Sequence, residues 1–158
     1  MSVNHQVKNT KIEYAEGCLS DILPINAQIP EFDRRITRAD LQLRLNKKTH
    51  LLLVAKVNGG AVGYKLGYAL SSSVFYSWLG SVIPAYRQMG IASSLSQQQE
   101  DWAQKSGYEH VEVKSMNRYP AMLQLLISIG YRITGYEDRG DENKSKICFS
   151  KTLTKQND

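Results

Sequence analysis

Apolar positions along the chain keep two periods in turn. After residues 11–14, which read as a short strand, Ile22, Leu23, Ile25 and Ile29 recur at helical spacing, with Ser20 placed to cap that helix and Pro30 to end it. A second helix is expected from Thr37, with Leu41 and Leu45 on one face. The period then shortens to two. Residues 50–57 read as a buried strand, Asn58-Gly59-Gly60 as a hairpin turn and residues 61–70 as the returning strand. A turn at 71–73 leads to a third antiparallel strand at 74–83, stopped by Pro84. Helical spacing returns from Ile91, with Leu95 and Trp102 on the same stripe and Gly107 just past the last turn. Residues 108–114 form a strand reached by a crossover. Pro120 opens a last helix that carries Met122, Leu123, Leu126 and Ile129 inward, and Gly130 ends it. Residues 131–136 and 146–153 close the sheet around a charged loop at 137–145. The order β-αα-βββ-αβ-α-ββ predicts an α+β fold, a mostly antiparallel mixed sheet of six to seven strands with helices on both faces.

Composition narrows this picture only at its edges. At 158 residues, 42% hydrophobic and 22% charged, the chain has the balance of one folded domain rather than a disordered one. The expected core is 10–153, with polar ends at 1–9 and 154–158. The longest apolar run, residues 51–55, is far short of the roughly 20 residues that span a bilayer. The first ten residues lack the order of a signal peptide, so a cytoplasmic protein with no membrane partner is expected. Cys18 and Cys148 have no knuckle or redox spacing, and His5, His50 and His110 are scattered, so no metal is expected.

Charge adds one local feature. Of the net +5, +3 falls between Glu31 and Lys48, where Arg34, Arg35, Arg38, Arg44, Lys47 and Lys48 outnumber Glu31, Asp33 and Asp40. A solvated helix face explains such a run, and so does a patch that steers a polyanion. Nucleic acid is a poor partner for it, because the basic residues are not interleaved with aromatics and no binding motif accompanies them.

The segment that carries chemistry is Val82-Ile83-Pro84-Ala85-Tyr86-Arg87-Gln88-Met89-Gly90-Ile91-Ala92. A strand ends at a proline, a basic loop follows, and a helix starts at a glycine. Loop amides and the helix N-terminus then converge on one spot suited to a pyrophosphate. Gly90 lets the backbone come close, Ala92 keeps the next turn thin, Arg87 adds a cation, and Ser93 and Ser94 add hydroxyls. The spacing is neither a Walker A loop nor a dinucleotide fingerprint, and a turn that merely needs glycine would look the same.

The string Val82-x-Pro84-x-Tyr86-Arg87-x-x-Gly90-Ile91-Ala92 resembles the acetyl-CoA signature of the GNAT family of N-acetyltransferases. The element order over about 10–153 is similar to that family's fold, and Asn117 and Gly130-Tyr131 stand where its members have comparable residues. The resemblance implies acetyl-CoA as cosubstrate, with its pyrophosphate on the amides of Gln88, Met89, Gly90, Ile91 and Ala92 and on the Ser93 hydroxyl. It implies a pantetheine arm lying beside Val82 and Ile83 like an added strand, with Asn117 bonded to it or else capping a turn. It implies that the Val82 N–H polarises the thioester carbonyl. The reaction would be direct acetyl transfer to a primary amine, of a small molecule or a protein, within a ternary complex.

The sequence departs from that family at two places. Leu79 stands where many members carry a Glu, and Leu126 where many carry a Tyr. The acid role passes to Tyr119 or to water, and the base to a water chain leading to Glu112, Glu31 or Asp33. Glu112 also reads as a solvent-facing strand residue, and Tyr119 as packing. The acceptor is expected against Glu31, Phe32 and Asp33 and against Tyr64, Tyr68, Tyr76 and Trp78, where ring faces and carboxylates suit an ammonium. A catalytically silent acyl-CoA-binding module is the alternative, and a homodimer stays open.

Overall fold

The computed structural model describes residues 10–32 and 35–154. Its elements are β1 (Glu13–Glu16), α1 (Leu19–Asn26), α2 (Arg38–Leu45), β2 (His50–Val57), β3 (Gly60–Ala69), β4 (Val74–Val82), α3 (Ile91–Lys105), β5 (His110–Ser115), α4 (Pro120–Ser128), β6 (Arg132–Glu137) and β7 (Lys146–Thr152). A 3₁₀ turn, Pro84–Tyr86, follows β4. The seven strands form one sheet in the order β1-β2-β3-β4-β5-β7-β6, with β4 and β5 parallel and every other pair antiparallel. The α+β expectation is met, with helices on both faces.

Each face buries its own apolar set. Leu51, Leu53, Phe75, Val111, Val113 and Phe149 meet Ile91, Leu95 and Ala103 of α3 and Leu126 of α4. On the other face Leu52, Val54, Tyr64, Leu66, Tyr68 and Tyr76 meet Ile22 and Ile25 of α1 and Leu41 and Leu45 of α2. β2 and β3 are therefore buried on both sides, which is why they read as continuous apolar runs.

Local chemistry sets the boundaries. The first helix begins earlier than Ser20: the Cys18 N–H donates to the Asp21 carboxylate at 2.9 Å, closing a capping box one turn ahead. It also stops at Asn26, not at Pro30. Pro24 inside it has no N–H to give, and the chain past Asn26 continues in single turns such as Ile29 N–H to Asn26 C=O. Thr37 caps α2 as expected, exchanging bonds with Asp40. The first strand lies two residues later than its apolar pattern placed it, because pairing of Tyr14 with Ala55 fixes its register. Gly107 and Gly130 both adopt positive φ, and in each case the next residue, Tyr108 or Tyr131, bonds back to the helix (Ala103 and Leu126 carbonyls). These closures use Tyr108 and Tyr131, so the following strands begin at His110 and Arg132.

Candidate active site

β4 and β5 run side by side only from Val74–His110 to Ser77–Val113. Immediately beyond, β4 carries an extra residue: Leu66 faces Leu79 while Gly67 faces Ser77, so Trp78 bulges. A bulge bends and twists its strand, and from Trp78 onward β4 leaves β5. The result is a slot with residues 78–82 of β4 on one bank and Lys114, Ser115 and the 116–119 turn on the other.

The end of β4 turns polar backbone into that slot. Val82 faces Gly63 on β3, and it is the next amide, Ile83 N–H, that donates to the Val62 carbonyl at 2.8 Å. By antiparallel alternation the Val82 N–H and C=O then point away from β3, toward the open edge. The carbonyl accepts from Arg87 Nε at 3.1 Å.

Past the 3₁₀ turn the loop takes two left-handed conformations, Gln88 at φ 63° and Gly90 at φ 78°. Gly90 is the N-cap of α3, and the first helical bond runs from Ser94 N–H to Gly90 C=O. The amides of Ile91, Ala92 and Ser93 therefore have no partner within the helix. The first turn of α3 carries no acidic side chain. Nothing lies within 4 Å of where a Gly90 Cβ would stand, so the backbone is open to a close-approaching ligand. This amide cradle at a helix N-terminus fits a pyrophosphate. The Ile91 side chain, 1% exposed, belongs to the core, so only its amide is offered.

The loop between α1 and α2 crosses the slot. Arg87 makes a bidentate ion pair with Glu31, at 2.7 and 3.0 Å, and this holds the Glu31 carboxyl below the usual carboxylate range. Arg118 donates to the Glu31 carbonyl at 3.1 Å from the opposite bank. The Phe32 ring meets the edge of Tyr119, centroids 6.3 Å apart, and the Arg118 guanidinium lies over the Tyr119 ring. Glu31, Phe32, Arg87 and Tyr119 are thus brought together. Asp33, expected on this loop, and Arg34 lie outside the described residues.

Other expected residues are distributed differently. Tyr64 is 1% exposed, its hydroxyl donates to Asn26 at 2.8 Å and burial pushes its pKa to about 12, so it forms the wall behind the site. Tyr76 and Trp78 share the α1–α2 face with Tyr68 and stack edge-on against it. Glu112 sits on the same face, opposite Tyr76 in the paired stretch below the slot. Asn117 donates to the Glu142 carbonyl at 3.2 Å, tying its turn to the loop before β7. Leu79 packs against the α1–α2 cluster and Leu126 is buried under the sheet, so both departures from the family pattern are apolar contacts. The pairing partners of Arg87 and Arg118, and the Asn26 link to Tyr64, had no sequence signal. Among the described residues no group of His, Cys, Asp or Glu could hold a metal ion, and no helix is long and apolar enough to cross a membrane.

Comparisons with known proteins agree with this fold. The family model described as "Acetyltransferase (GNAT) family" matches residues 19–126. No curated protein matches the sequence. Among solved structures, Ard1 from Thermoplasma volcanium is similar with a TM-score of 0.77 at 17% identity, over 91% of this chain and 99% of that one. The ribosomal-protein-S18-alanine N-acetyltransferase from Escherichia coli gives 0.79 at 12% identity, over 94% and 97%. A GNAT family acetyltransferase from Elizabethkingia anophelis with acetyl-CoA bound gives 0.72 at 17%, over 90% and 98%. With more than half its length under the family model, the chain belongs to the acetyltransferase (GNAT) family, acyltransferases that use acetyl-CoA as cosubstrate.

Proposed function

We propose that this protein transfers the acetyl group of acetyl-CoA to a primary amine by direct attack in a ternary complex. The observation that carries the reading is two sets of backbone donors without a partner in the ladder or the helix, separated by the 3₁₀ turn. One is the Val82 N–H at the open edge of β4, and the other is the amides of Ile91, Ala92 and Ser93 in the Gly90 cradle. On this reading the amides of residues 88–92 hold the pyrophosphate, with Arg87 released from Glu31 to join them. The pantetheine extends the sheet at the open edge by Val82, while Ile83, whose N–H is held by the Val62 carbonyl, offers it no main-chain donor. The Val82 N–H bonds the thioester oxygen, where negative charge grows as the amine attacks.

The amine must reach the carbon as a neutral nucleophile. Its proton leaves through water to Glu112 on the acceptor face or to Glu31, which is freed when Arg87 turns to the pyrophosphate. The new N–C bond forms as the C–S bond breaks, and the departing thiolate takes a proton from Tyr119 at the opposite bank. Phe32, Tyr76 and Trp78 wall the acceptor side. The apolar Leu79 and Leu126 favour a second reading, an acyl-CoA-binding module without turnover. A panel of primary amines scored by free CoA release separates the two: release above the amine-free rate with any acceptor supports transfer, and none with bound acetyl-CoA supports the silent module.

A further inference from the structure

Beside the slot, on the α1–α2 face, β5 and β7 contribute no described residue to the apolar cluster under the helices and carry a concentration of cations. Lys114 is the first β5 residue beyond the last β4–β5 pair, so it stands at the mouth of the slot across from Trp78. Lys114 pairs with Cys148, and Lys146 lies two positions along the same strand, hence on the same face and about 7–8 Å away on the diagonal. Arg44, from the last turn of α2, closes the corner. Its guanidinium donates to the Tyr68 hydroxyl at 3.2 Å and lies 4.9 Å over the Trp78 ring, so it is held in place rather than free to swing. Arg139 completes the group.

Two carboxylates face this shelf. Glu137 is bonded to Lys114 at 2.6 Å and to Arg139 at 3.3 Å. Glu112 lies one face position below Lys114 on β5. Among the described residues no carboxylate is within ion-pair distance of Arg44 or Lys146. The Lys146 ammonium feels the shortfall: burial lowers its pKa, and Arg139, Lys114 and Arg44 lower it further against the opposing effect of Glu137. Like charges held together in this way favour an anion that neutralises them.

We propose that the acceptor bears a carboxylate close to its reacting amine, and that Arg44, Lys114 and Lys146 hold that carboxylate on this shelf. The inference rests on the transfer reading above and names its substrate class. Anchored there, the acceptor lies over Tyr76 and Trp78 with its amine at the slot. The same cations disfavour an ammonium, so they also promote the neutral amine that attacks. Diamines and polyamines are repelled. The carboxylate can belong to a free amino acid or to an acidic residue at the amino end of a peptide.

The test measures kcat/KM for two matched sets, amino acids against their amides and short peptides beginning with Glu against those beginning with Gln. The wild-type protein should prefer the anionic member of one set at least tenfold, and that set identifies the source. Lys146→Gln and Arg44→Gln should each cut the preference roughly tenfold, the loss of one charge-assisted bond, while the KM for acetyl-CoA stays unchanged. Equal rates for anionic and neutral members, or preference for a diamine, overturn the shelf assignment and leave the transfer reading intact. If no acceptor turns over although acetyl-CoA binds, the transfer reading fails, and titration of the CoA-saturated protein with the Glu peptide decides the shelf. Binding that is weakened in Lys146→Gln supports it, and no binding overturns it.

Discussion

Replacing Glu31 with Gln tests whether the acceptor loop and the anion cradle share Arg87. In the structure the guanidinium makes two charge-assisted bonds to Glu31, at 2.7 and 3.0 Å. The two side chains are 40% and 41% exposed, so water screens the pair. That puts its worth at about 0.5–1 kcal/mol. If Arg87 turns to the pyrophosphate, CoA binding must first give up this interaction. Removing it beforehand in Glu31→Gln should therefore tighten acetyl-CoA binding by the same amount, about 2- to 5-fold in Kd by calorimetry. Arg87→Gln should weaken binding roughly tenfold by losing a charge-assisted phosphate contact. In the double variant the Glu31 change should then have no further effect. Weaker binding in Glu31→Gln, or an equal effect of that change with and without Arg87, would refute the shared-residue argument.

Tyr119→Phe should lower turnover about 100-fold, at the lower end for loss of a general acid, with the Kd for acetyl-CoA unchanged; stopped assays of CoA release check this, and wild-type turnover removes Tyr119 from the acid role. Lys65, buried beneath α3, has its pKa lowered to about 8, by burial first and against the raising effect of Glu100. The unfolded chain keeps the ordinary value of about 10.4. Between these pH values the unfolded state binds the extra proton, so stability should rise with pH from about 8 to about 10.4. Lys65→Met should flatten that rise and raise Tm at pH 7, since Glu100 keeps its ion pair with Lys151; thermal melts across pH that show a lower Tm for the variant would contradict this. Gly67→Ala should destabilise by about 1–3 kcal/mol in urea melts, because a Cβ there meets the Phe75 ring and the Tyr76 carbonyl; an unchanged midpoint would show that the bulge yields.

What the sequence disclosed follows from distance along the chain. The cradle is local: strand end, proline, loop and Gly90 span residues 82–92, so its residue types announce its shape. The helix closures at Gly107 and Gly130 were legible for the same reason. The Arg87–Glu31 pair joins residues 56 apart and left no periodic trace. Nor did the Trp78 bulge, which alone decides that both Trp78 and Leu79 face α1 and α2. Lys65 shows a different limit. In β3 it alternates with Tyr64 and Leu66 as a solvent-facing residue would, but α3 covers that face too, so the alternation does not disclose its burial. Tyr64 read as a binding aromatic because composition cannot tell a wall from a lining; its bond to Asn26 makes the distinction.

On the proposed function, residues 82–93 hold acetyl-CoA through backbone amides at the start of α3. Calorimetric titration of the wild-type protein and of Gly90→Glu with acetyl-CoA, with ATP and NAD as controls, tests it most directly. Acetyl-CoA should bind in preference to both controls, and its binding should be lost in a folded Gly90→Glu protein, where a carboxylate and a strained left-handed residue occupy the cradle. Equal affinity in wild type and variant would contradict it.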